Sequence, residues 1–229
     1  MDYPLYQQAC QLIDNSGLER VAEHLKRFLK PTICMDSNPA STHLLPLGTS
    51  KLGGFPDLPP TLVWPTWEEI PMVFLAQINL QDVAPYDKEQ LLPSHGFLYF
   101  FCQSQSLSQG IETKVWDYID PDEPESWRVL FFDGDMTDLR SIPLPKGLAQ
   151  EALLPDCALH FWSVLTLPPT RSVLIESLHL TIEERKQYWN LLETVENAFP
   201  GTGDQIYHQH RLLGYPFQMQ EDMQLRCDS

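Results

Sequence analysis

Four groups of residues in this sequence are of types that could do chemistry. Gln77 and Asn79 stand two apart in the otherwise apolar run Phe74-Leu75-Ala76-Gln77-Ile78-Asn79-Leu80. Alternate residues of a strand share a face, so both amides project to one side. Buried amides need partners; these would either satisfy backbone groups of nearby proline-rich loops or read a ligand in a pocket. Cys157, His160, His208 and His210 are zinc-binding types, yet no second cysteine pair accompanies them and the spacing is not that of a zinc site, so no metal is expected. Asp133-Gly134-Asp135 with Asp138 has the residue types of a calcium loop. An EF-hand needs its glycine at the sixth position and a glutamate at the twelfth, so a solvated acidic turn is expected here. The glycine and proline block from Lys51 to Pro60 lacks the Lys-Ser/Thr ending of a phosphate loop and the spacing of a dinucleotide fingerprint. Its glycines instead predict positive φ or close backbone approach, with Phe55 and Trp64 packing nearby.

No GxSxG elbow, HExxH helix or DFG set is present. Accordingly no catalytic residue is nominated and no cofactor is expected. The 229 residues carry 31 acids against 15 lysines and arginines, a formal net charge of −16. Residues 1–60 hold six acids and five bases, so nearly all of the excess lies beyond them. The stretch from Glu112 to Asp138 alone has nine acids against Lys114 and Arg128. Such a field repels phosphate backbones and anionic lipid, which excludes nucleic acid and membrane as expected partners. A basic protein surface, or a cation, is the complementary company. Five scattered cysteines form no disulfide framework, and the start MDYPLYQQAC lacks the basic and apolar regions of a secretory signal. Reduced thiols and a cytoplasmic location are the expectation.

The elements that must position these residues are of mixed type. The first thirty residues predict a helical pair, with Leu18, Val21, Leu25 and Leu29 on one face of a helix over 18–30 that Ser16 and Glu19 cap and Pro31 ends. Short apolar runs between proline-rich turns then predict strands at 32–35, 62–64, 72–79, 96–102, 114–119, 128–132 and 158–167. A second helix is predicted over 181–199, opened by a Thr181 and Glu184 capping box, with Ile182, Trp189, Leu192, Val195 and Phe199 along its apolar face. The expected fold is α+β, mainly antiparallel sheet with flanking helices and short proline-rich connections.

Several ordered blocks carry a resemblance. Lys51-Leu52-Gly53-Gly54-Phe55-Pro56, Leu58-Pro59, Trp64-Pro65, the Gln77 run, Gly96-Phe97-Leu98-Tyr99-Phe100-Phe101 and His210-Arg211-Leu212-Leu213-Gly214-Tyr215-Pro216 are together similar to the YwqG-like family, a bacterial domain of unknown function. The resemblance implies a YwqG-like domain over 32–229, following the N-terminal helical segment over 1–31. Members usually continue with a further strand pair where this sequence ends at Ser229. A strand edge that is either exposed, and so open to an oligomer, or covered by another element or another chain is therefore implied. Some members resemble, by genomic company, immunity proteins that neutralise polymorphic toxins.

The function expected from these features is a cytosolic protein-interaction module of the immunity-protein kind. Its acidic surface of Asp117, Asp120, Asp122, Glu123, Glu125, Asp133 and Asp135 would capture a basic partner. The alternative is a small-molecule binder or unrecognised hydrolase, with a pocket at the signature blocks and Gln77, Asn79 and Gln220 as ligand-binding residues.

Overall fold

A computed structural model describes residues 4–37, 45–103, 124–198 and 210–215. In chain order these form α1 (Pro4–Asp14), α2 (Ala22–Phe28), β1 (Lys30–Ser37), β2 (Lys51–Leu52), β3 (Asp57–Leu58), β4 (Thr66–Trp67), β5 (Ile70–Pro71) and β6 (Val73–Asn79). They continue with α3 (Leu80–Val83), β7 (Phe97–Cys102), β8 (Trp127–Phe132), β9 (Arg140–Ser141), β10 (Cys157–Thr166), α4 (Val173–Glu176), α5 (Ile182–Asn197) and β11 (His210–Leu212). The fold is α+β, and every strand pair with an assigned register is antiparallel. Among the described residues no helix is long and apolar enough to cross a membrane. The chain divides into two compact units, one of Met1–Asp36, Tyr86–Glu89 and Phe161–Ser229, the other of Ser37–Pro85 and Gln90–His160.

The first unit packs α1, α2 and α5 around Ile13, Leu25, Tyr188 and Val195, all fully buried. The N-terminal helices thus share one core with residues far along the chain. The helix predicted over 18–30 is shorter than expected. It starts at Ala22, and Ser16 caps nothing ahead of it; the Ser16 hydroxyl donates instead to the Ile13 carbonyl at 2.7 Å, closing the end of α1. Pro31 disfavours helical geometry at the residue before it, so Lys30 already belongs to β1. β1 pairs with β11 through Ile33↔Leu212, Cys34↔Arg211 and Met35↔His210.

The capping box of α5 forms as predicted: Thr181 Oγ1 accepts from the Glu184 N–H, and Glu184 accepts from the Thr181 N–H at 2.8 Å. The buried stripe keeps Val195 and half-buried Leu192 of the expected one but not Ile182 or Trp189. Tyr188, Leu191 and Val195 face the core, while Ile182 is 80% exposed and Trp189 60% exposed. Both sets obey helical spacing; the tie is broken by the Tyr188 hydroxyl, which donates to the Pro168 carbonyl at 2.6 Å from inside the core. Phe199 lies outside the described residues.

The second unit runs β10, β2, β6, β7, β8 in hydrogen-bonded order, with residues 157–160 of β10 at one end. Leu58, Met72, Phe74, Phe97, Tyr99, Phe101 and Leu139 form its main core. Residues 62–64, expected as a strand, are irregular. Flanked by Pro59, Pro60 and Pro65, they lack ladder donors on either side; Trp64 instead packs edge-on against Phe101 at 5.4 Å and donates its indole N–H to the Met72 carbonyl. The predicted strand at 114–119 lies outside the described residues.

One pH-dependent contact follows from the first unit. Arg20 grips Glu184 with two bonds of 2.9 Å, and these, with the Thr181 N–H, pull the Glu184 carboxyl down to about 2. A depressed carboxylate contributes stability that is complete above its unfolded value and lost as pH falls toward its folded value. Side-chain NMR titration should place the Glu184 midpoint near 2, and Arg20→Ala should move it up toward the ordinary range. A midpoint unchanged by Arg20→Ala would contradict the assigned cause.

Candidate functional site

The signature block 48–58 is built around one buried carboxylate. Gly53 and Gly54 take φ of 63° and 68°, a left-handed region that glycine enters without penalty. A Cβ on Gly53 would run into the Pro155 carbonyl, so the backbone approach is itself the reason for the glycine. The Gly53 N–H reaches the Leu75 carbonyl at 2.8 Å, at the point where the β6 and β7 register shifts between Phe74 and Ala76. The turn brings Asp57 back against β6. Asp57 Oδ2 then accepts from the Gly48 N–H at 3.0 Å, the Lys51 ammonium at 3.2 Å and the Gln77 amide at 2.8 Å.

The backbone of the same residue is used as fully. Gln77 Oε1 accepts from the Asp57 N–H at 2.8 Å, and the Tyr99 hydroxyl donates to the Asp57 carbonyl at 2.7 Å. Gln77 Nε2 spends its other proton on the Thr49 carbonyl. Lys51 and Asp57 are both nearly inaccessible, at 6% and 2% exposure. Burial first, and the Asp57 charge second, raise the Tyr99 phenol well above its ordinary value, so it stays a donor.

Gln77 is therefore placed in the core with its amide committed to Thr49 and Asp57. Asn79 has a structural task as well: its Oδ1 caps α3 by accepting from the Gln81 N–H at 3.0 Å, while Nδ2 reaches the Gly48 carbonyl. Asn79 also lines an open cavity of ≈ 240 Å³ with Gln81, Gly96, Phe97, Asp135 and Thr137. Gln220, the third candidate, lies outside the described residues, and Gly214 and Tyr215 of its block belong to the first unit.

Other candidate groups are equally informative. Burial pushes the Cys102 thiol up to about 11 and also raises Cys10, which keeps both protonated near neutrality and unsuited to nucleophilic work. Cys10, Cys102 and Cys157 are free thiols. Among the described residues no three histidine, cysteine or acidic side chains gather where they could hold a metal ion; His208 is outside them. Of the calcium-like turn, Asp133 is exposed and meets His95 Nε2 at 2.9 Å, and Asp135 precedes a single 3-10 turn at Met136–Asp138.

What the residue pattern did not single out is the outer face of β7 and β8. Trp127, Val129 and Phe131 are 46%, 59% and 45% exposed, where a half-buried strand would turn polar residues to water. The register sets Phe131 opposite Leu98, Val129 opposite Phe100 and Trp127 opposite Cys102, so the three continue a face with half-buried Leu98 and Phe100. Gly96, at φ 97°, has the Phe131 ring where its Cβ would stand, which lets the ring lie across the end of the strand. Exposed Glu125 stands at one end of β8, and exposed Asp133, Asp135 and Asp138 stand at the other. The sequence signal was available in the alternation of Trp127, Val129 and Phe131, which matches the period of two on the opposite face to Leu130 and Phe132. The remaining predicted acids, Asp117, Asp120, Asp122 and Glu123, lie outside the described residues.

These features define an α+β protein with, among the described residues, an internal polar cluster at Asp57 and an exposed apolar sheet face with acidic ends. The family described as Domain of unknown function (DUF1963) matches residues 50–227, and the chain belongs to it. No curated protein matches the sequence.

The Asp57 cluster makes an ordered prediction. Lys51→Met breaks a buried ion pair and should cost about 3–5 kcal/mol. Asp57→Ala should cost more, because it also strands the Gly48 N–H and the Gln77 amide while leaving Lys51 charged and buried. Urea unfolding of both variants gives the order; Asp57→Ala milder than Lys51→Met would refute the clasp.

Proposed function

We propose that this chain is a YwqG-like protein-interaction module of the cytoplasm. Its docking surface is the outer face of β7 and β8, and its partner is a basic protein, in the manner of an immunity protein holding a toxin. The observation that carries the reading is the exposed Trp127, Val129 and Phe131 stripe with Glu125, Asp133, Asp135 and Asp138 at its ends. An apolar centre with a charged margin is how protein interfaces are built, the centre giving affinity and the margin giving encounter rate and choice of partner. Aromatic residues supply the most contact area per side chain, and two of the three stripe residues are aromatic. The net charge of −16 steers basic proteins toward this surface. The YwqG-like placement rests on the ordered blocks from Lys51 to Pro216, and the free thiols fit a reducing compartment.

The signature blocks support the same reading from the other side. Lys51, Asp57, Gln77 and Tyr99 satisfy one another, which accounts for their presence without a substrate.

The test is capture of partners from native lysate by the wild-type chain and by the triple variant E125K/D133K/D135K, at low and at high salt. A basic protein should be retained by the wild type, released by salt, and missed by the triple variant. Capture of no basic protein, or capture indifferent to both salt and charge reversal, defeats the proposal.

A further inference from the structure

We infer that the outer edge of β8 accepts an extended segment of the partner as an added antiparallel strand, apolar at alternate positions and basic at both ends. This rests on the docking surface proposed above and specifies how it is read. The Gln103 N–H donates to the Ser126 carbonyl at 2.8 Å, and β7 pairs with β8 in the same register from Cys102↔Trp127 to Phe97↔Phe132. Hydrogen-bonded and non-hydrogen-bonded pairs alternate along an antiparallel ladder. Residues 126, 128, 130 and 132 therefore turn their N–H and C=O toward β7, and Trp127, Val129 and Phe131 turn theirs away.

The Trp127 carbonyl confirms the direction, since it accepts from its neighbour Arg128 Nη1 at 2.9 Å rather than from β7. Among the described residues β8 is the last strand of its sheet. The three residues with outward backbone groups are thus the same three that expose apolar side chains. An incoming strand meets hydrogen-bonding groups and an apolar surface at the same positions.

The identity of the incoming segment follows from charge and register. Residues directly opposite in an antiparallel pair share a face, so apolar side chains of the segment would lie beside Trp127, Val129 and Phe131, and their own N–H groups would point at β8. Glu125 at one end of the strand and Asp133 and Asp135 at the other would face the segment's two ends, which selects bases there. A like-charged acidic segment would be repelled at both ends.

The probe is the peptide Ac-Lys-Lys-Val-Thr-Phe-Thr-Val-Lys-Lys-amide, with two analogues of equal charge. One is N-methylated at Val, Phe and Val; the other is N-methylated at the two Thr. Hydrogen exchange of the free protein comes first: the amides of Trp127, Val129 and Phe131 should exchange quickly and those of Arg128, Leu130 and Phe132 slowly. Added peptide should then protect the first three. By titration, the Val/Phe/Val analogue should bind about tenfold weaker or worse, having lost three donors, while the Thr analogue should match the parent.

Equal binding by all three peptides overturns strand addition yet leaves the acidic docking surface intact. Binding by none at millimolar concentration overturns strand addition, and the lysate experiment still decides the broader reading. Protection of Trp127, Val129 and Phe131 in the free protein also overturns the inference: the edge is then filled by the chain itself, or, if protection grows with concentration, by a second copy.

Discussion

The fold of the second unit depends on one buried negative charge. Removing a carboxylate from water is costly, and it is tolerated only where donors replace the lost hydration. At Asp57 three donors converge on one oxygen: a backbone N–H from Gly48, the ammonium of Lys51 and the amide of Gln77. Each donor comes from a different segment, so satisfying the charge also fixes the segments. The loop before β2, β2 itself and β6 are drawn to a common point, and Tyr99 of β7 closes the set through the Asp57 carbonyl. A breach at any member leaves the others desolvated without compensation, which makes the cluster cooperative.

That constraint explains why the signature blocks look as they do. Gly53 is there because the backbone passes too close to Pro155 for a side chain, and the close pass is what returns Asp57 to β6. Pro56 and Pro59 bracket the two-residue strand β3, whose partner β9 pairs as Asp57↔Ser141 and Leu58↔Arg140. Ser50 binds both the Asn79 N–H and the Asp82 carboxylate, extending the same network to the start of α3. A motif dense in Lys, Asp, Gln and Tyr would ordinarily invite a catalytic interpretation. In this chain Lys51, Asp57, Gln77 and Tyr99 hydrogen-bond to one another in the core.

How much of this was legible in the residues differs by scale. The long apolar runs of β6, β7, β8 and β10 announce themselves, and so does the start of α5, because Thr181 and Glu184 act on backbone groups only three residues away. The two-residue strands β2, β3 and β9 have no periodicity to read; they exist because distant partners select them. The buried side of α5 was ambiguous for a similar reason. Ile182 and Trp189 are seven apart and Tyr188, Leu191 and Val195 follow steps of three and four, so both are sound helical faces until α1 and α2 arrive to cover one. Asn79 and Gln77 were legible as a pair needing partners. That Gln77 would meet Asp57, and Asn79 the Gly48 carbonyl, depends on contacts twenty and more residues apart in the chain, whereas the helix end that Asn79 caps is only two residues on at Gln81.

The remaining tension lies between the two faces of the β7 and β8 pair. Its inner face is an ordinary core, with Tyr99 opposite Leu130 and Phe97 opposite Phe132. Its outer face sets Phe131, Val129 and Trp127 in water at the margin of a sheet, where an apolar edge carries a risk of indiscriminate association. Natural edges limit that risk with charge, and here the carboxylates of Glu125, Asp133 and Asp135 stand at the two ends of the strand while the centre is left apolar. Charge in that position does not fill the edge; it filters what approaches, because a copy of the same acidic protein meets its own sign at both ends. Charge so placed opposes acidic sequences at both ends and leaves basic ones unopposed, which is the asymmetry that the cationic partner proposed above would require.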